Sequence, residues 1–103
     1  MSDPDFILRE EIDGSTARSA HELVRNLRPQ WLQTRGLTTA RQAGGRDGSK
    51  VYLDNARLEN VEEMRLVALA SIVYLRFFNA SEATYRWGAG HLNGAILLST
   101  RPR

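Results

Sequence analysis

The chain has 103 residues, 42% of them hydrophobic and 25% charged, with a net charge of +2 and no cysteine. That size fits one domain with a modest core of its own. The composition excludes a disulfide framework, a thiolate metal site, a cysteine nucleophile and a chain too polar to fold, and the small net charge demands no polyanionic partner.

Residues 6–12, FILREEI, alternate in part and predict a strand, although Glu10 breaks the pattern. Asp13-Gly14 reads as a turn. Ala20, Leu23, Val24 and Leu27 recur at helical spacing, with Ser15, Thr16 or Ser19 as candidate caps and Pro29 as the stop. Trp31 and Leu32 are expected to fold back on the core. His21, next to Glu22 on this helix, reads as a surface residue. Residues 34–50, TRGLTTARQAGGRDGSK, are polar and rich in glycine and predict a flexible loop within the single domain 1–103.

Val51-Tyr52-Leu53 predicts a short strand that turns at Asp54-Asn55. Residues 60–67 suggest a short helix with Glu62 and Glu63 near its positive end, and 68–71 a connecting turn. Residues 72–78, IVYLRFF, are the strongest strand. Asn79 can cap a helix reciprocally with Glu82, Gly88 can end it, and 95–100, AILLST, closes the chain as a last strand. The order β-α-loop-β-α-β-α-β predicts an α+β domain in two layers, short helices packed on one face of a small mixed sheet.

The chemical motifs are weak. GGRDGSK at 44–50 lacks a lysine directly after its second glycine, and a strand follows it where a phosphate loop needs a helix. Gly88, Gly90 and Gly94 lie between helix and strand, the reverse of a dinucleotide fingerprint, and with Gly36 read as conformational glycines. His21 and His91 stand in different elements without metal-ligand spacing. Glu10-Glu11 and Glu62-Glu63 do not converge as a hydrolase pair. No catalytic residue, cofactor or metal is expected, and the scattered arginines do not form the dense stripe of a nucleic-acid binder.

VYLD at 51–54, LVALASIVYLRFF at 66–78 and ATYRWGAGHLNGAILLSTR at 83–101 together resemble the plug domain of TonB-dependent outer-membrane receptors. The closing segment carries the resemblance best, with Tyr85, Gly88, Gly90, Gly94 and Thr100 in place. REEI at 9–12, LRP at 27–29 and Arg35-Gly36 agree more loosely. The resemblance implies an α+β plug-like module, placed in the periplasm or envelope after loss of a leader, without a barrel of its own. It also implies a non-catalytic role as an accessory or docking subunit of a membrane-associated protein complex. The alternative is a loop-mediated binder of a small ligand or a channel, with Arg35, Arg41, Arg46 and His91 as loop contacts. The family strand alternates apolar with charged residues, whereas 72–78 is apolar on both sides. Its second side is therefore expected either to be covered within the domain or to serve, through Val73, Tyr74, Phe78 and Trp87, as a protein interface.

Overall fold

In the computed structural model, which describes residues 3–32, 49–59 and 61–102, eleven short elements follow one another. They are β1 (Phe6–Leu8), α1 (Arg9–Asp13), α2 (Ala20–Leu27), a 3-10 turn (Pro29–Leu32), β2 (Lys50–Leu53), β3 (Ala56–Leu58), 3-10 turns at Val61–Leu66 and Leu69–Ser71, β4 (Tyr74–Phe78), α3 (Ala80–Trp87) and β5 (Ala95–Ser99). The strands form one sheet in the order β1-β4-β5-β2-β3. β2 and β5 run parallel and the other neighbours antiparallel, so the sheet is mixed and the class is α+β. β5, AILLS, is buried throughout because strands flank it and side chains cover both its faces.

The predicted strand 6–12 ends at Leu8. Ile7 and Ile12 both enter the core. Their odd separation is incompatible with one strand having a single inward face, and α1 resolves the conflict by winding Ile12 inward. Glu11 reaches back to the Leu8 N–H at 3.4 Å. For α2 the cap is Ser19, whose Oγ accepts from the Glu22 N–H at 3.2 Å. The strand Ala56–Leu58 was not anticipated. Asp54, with φ +54°, reverses the chain in two residues and pairs Leu53 with Ala56.

Two arginines fasten the short N-terminal elements. Arg9 pairs with Asp13 at 2.8 Å and donates from Nη1 to the carbonyls of Leu69 and Ile72. Arg28, at the end of α2, reaches β1 and α1. Trp31 folds back as expected: it is buried, donates to the Pro4 carbonyl at 3.0 Å and stacks on Phe77. Of the loop expected at 34–50, residues 34–48 lie outside the described residues. Ser49 is buried, its hydroxyl donating to the Trp31 and Asn93 carbonyls, and Lys50 already begins β2.

One face of the sheet carries Ile7, Val51, Leu75, Ile96 and Leu98 against Leu23, Val24, Trp31 and Met64. α3 lies on the other face, over Tyr52, Phe78, Ala95 and Leu97. The expectation that all helices share one face is thus corrected, because β4 and β5 are apolar on both sides and α3 supplies the second cover.

His21 is buried, not on the surface. Its Nδ1 has no hydrogen-bond partner among the described residues, and its Nε2 is 3.8 Å from Glu62. Burial, aided by the positive charge of Arg65, lowers its pKa against the opposing pull of Glu62. The unfolded chain then binds this proton more readily than the folded one. The stability that neutral His21 allows is therefore complete above the unfolded value of about 6.5 and declines as pH falls through it. The urea midpoint is expected to drop between pH about 7.5 and about 5.5, and His21→Gln to flatten that part of the curve. An unchanged slope in the variant would assign the dependence to other groups.

Candidate functional site

The second face of the sheet gathers the aromatic side chains. Strand alternation sends Tyr74, Arg76 and Phe78 of β4 to this side, and Tyr52 joins them from β2. α3 is held over them by a reciprocal cap: the Asn79 side chain accepts from the Glu82 N–H at 2.8 Å, and Glu82 accepts from the Asn79 N–H at 3.0 Å. Gly88 ends the helix at φ +93°, and Gly90 and Gly94 follow with φ +99° and +79°. This turn brings His91 under Trp87.

Trp87 lies flat on Tyr52, with centroids 4.1 Å apart and planes 6° apart, and meets the Phe78 edge at 4.9 Å. His91 is 3% exposed. Its Nδ1 is 2.7 Å from the Gly88 carbonyl, which can only accept, so the proton is on Nδ1. In the neutral ring its Nε2 accepts from the Tyr52 hydroxyl, 2.8 Å away. His91 was expected as a loop contact; the geometry makes it a buried brace of the turn. Phe78, at 4% exposure, is likewise removed from the predicted interface, because Trp87 and Ala83 cover it. Tyr74 and Trp87 are half-buried and remain at the rim, while Val73 precedes β4 and lies outside this cluster. Arg35, Gly36, Arg41 and Arg46 lie outside the described residues.

α3 does not cover the whole face. Between it and β4 runs an open groove of about 490 Å³ lined by Arg76, Phe78, Ser81, Glu82, Tyr85 and Arg86. A hollow of about 180 Å³ continues past Arg86 to Asp54, Tyr74, Ser99 and Arg101. The Arg76 guanidinium lies 4.2 Å over the Phe78 ring and 5.3 Å from that of Phe6. Arg86 lies 5.1 Å over Trp87 and 5.5 Å from Phe78. Tyr85 is 95% exposed at the groove's edge. At the far end Asp54 accepts from the Thr100 hydroxyl and N–H, and these two bonds lower its pKa, the hydroxyl most.

The middle of the second face is covered within the domain, and the strip between α3 and β4 is open. Sequence reading missed Arg76 and Arg86 as members of this surface. The i, i+2 spacing of Tyr74, Arg76 and Phe78 was the available signal for the first; the second needed the pose of α3. His21 and His91 lie on opposite sides of the sheet and do not converge. Among the described residues there is no group of three or more His, Cys, Asp or Glu that could hold a metal, and no helix is long and apolar enough to cross a membrane. No family model, curated protein or solved structure matches the chain.

Proposed function

We propose that the chain is a non-catalytic, plug-like docking module that uses the open strip beside α3 to join a membrane-associated protein complex of the bacterial envelope. The observation that carries docking is Tyr85, almost fully exposed beside a groove walled by Phe78 and by two arginines laid on aromatic rings. Tyrosine and arginine are enriched where protein interfaces gain most of their energy. The side chains beneath are already packed, so the surface is held in shape before a partner arrives, which limits the ordering cost of binding. The compartment rests on the plug-like closing segment. Its three glycines all adopt left-handed conformations, in which they form the turn that seats α3.

The test is recovery of the tagged protein from membranes of the cells that make it, in mild detergent. A stoichiometric complex is expected with the wild type, and its loss with Tyr85→Ser combined with Tyr74→Ser, at an unchanged urea midpoint. Recovery of the wild type as a free monomer would move the reading to a ligand site on the 34–50 segment.

A further inference from the structure

The arginines of the two faces are treated differently. Around the first face, Arg9 is paired with Asp13, Arg28 with Glu11 and Arg65 with Glu62. On the second, Arg76, Arg86 and Arg101 have no carboxylate within ion-pair distance among the described residues. Arg57, opposite Tyr52 in the β2–β3 register, projects from the same side. Two carboxylates line the same groove and hollow, and both are hydrogen-bonded to other groups. Glu82 would be the natural partner of Arg86 one turn on, but it is turned back to cap α3. Asp54 is engaged by Thr100. Both carboxylates keep their charge, and that of Asp54 also acts on Arg101, but Arg76, Arg86 and Arg101 outnumber them, so the groove and hollow that meet at Arg86 carry an excess of positive charge.

Resting on the docking reading, we infer that the occupant of this strip is an acidic segment of a partner protein, in which carboxylates flank an apolar or aromatic side chain. Planar guanidiniums positioned over aromatic rings, as those of Arg76 and Arg86 are, keep N–H groups that match a carboxylate fork. The surface between them, led by the exposed ring of Tyr85, is largely apolar and asks for a side chain that a bare polyanion lacks. Glu82, lining the same groove, opposes a dense row of phosphates. The groove is also concave, so a flat bilayer would meet Tyr85 and not the groove floor.

The probe is a random copolymer of glutamate and tyrosine, titrated into isotopically labelled protein while the arginine Nε–H signals are followed by NMR. Signals of Arg76, Arg86 and Arg101 are expected to shift, with those of Arg18 and Arg25 on the opposite side unmoved. Polyglutamate is expected to bind more weakly than the copolymer, and Arg86→Gln to weaken copolymer binding about tenfold, the loss of one charge-assisted contact. Absence of binding, or shifts spread evenly over all arginines, overturns the inference. So does tighter binding at the same arginines by phosphatidylglycerol vesicles or by oligodeoxythymidylate, which would reassign the strip to a lipid or nucleic-acid surface. A membrane complex that depends on Tyr85 yet survives Arg76→Gln with Arg86→Gln removes the acidic occupant and leaves docking intact. Failure to recover any complex removes docking itself.

Discussion

Gly94→Ala is expected to lower the stability of the fold by about 2–6 kcal/mol, a large part of the roughly 5–15 kcal/mol typical of a small domain. Two costs combine. Gly94 has φ +79°, a region where a side chain is strained by about 1–3 kcal/mol. A Cβ there would also strike the Phe78 carbonyl and come within 2.8 Å of the Phe77 ring. Neither neighbour can yield cheaply. Phe78 is paired to Ala95 in the β4–β5 ladder, and Phe77 is stacked on Trp31. Overpacking of this kind costs about 1–3 kcal/mol more. Gly90 is the control: its φ is +99°, but a Cβ there would meet nothing within 4 Å. Gly90→Ala should therefore lose only the backbone share. Urea unfolding of both variants checks this through the midpoint at constant slope. Equal losses would mean that the contact with β4 contributes nothing.

The second large effect is expected at Arg28. Its guanidinium is buried and donates to the Glu11 carboxylate at 2.9 and 3.2 Å, to the carbonyls of Phe6 and Asp3, and to that of Leu27. One side chain thus ties the end of α2 to α1 and to a strand of three residues. Arg28→Ala should cost about 3 kcal/mol, the lower end for breaking a buried pair, because Glu11 keeps partial access to water. Arg28→Lys keeps the charge but not the fork, and should fall between. Glu11→Gln combined with Arg28→Ala should cost less than the sum of the two, since they share one interaction. Hydrogen exchange locates the damage: the β1 amides should lose protection before those of β5. Full protection of β1 in Arg28→Ala would show that the strand is held by β4 pairing alone.

Sequence reading succeeds where the signal is local. Asn79 and Glu82 cap α3 because the motif is local: two side chains and two amides three residues apart. Gly88 ends that helix for an equally local reason. The reading failed over 9–13, where Glu10 was treated as a flaw in a strand. Three polar residues in a row, with Ile12 inward, were the helix signal. His21 failed differently. A polar residue on a helix was assigned to solvent, but α2 is covered from the side by the Val61–Leu66 turn, which no pattern within α2 could show.

The amino-acid sequence by itself determined the α+β class, the order of most elements and the left-handed turn at 88–94. Each of these follows from periodicity, capping and backbone freedom, which act over a few residues. Tertiary structure alone decided which surface is open. Tyr74, Phe78 and Trp87 look alike as sequence, yet Phe78 is sealed and Tyr74 is at the rim, because α3 crosses the sheet over one and not the other. The charge of that surface was decided the same way. Whether an arginine is ion-paired depends on carboxylates brought near by folding, and here Glu82 and Asp54 are turned to backbone and hydroxyl partners, leaving Arg76, Arg86 and Arg101 along the groove and hollow without an ion pair among the described residues.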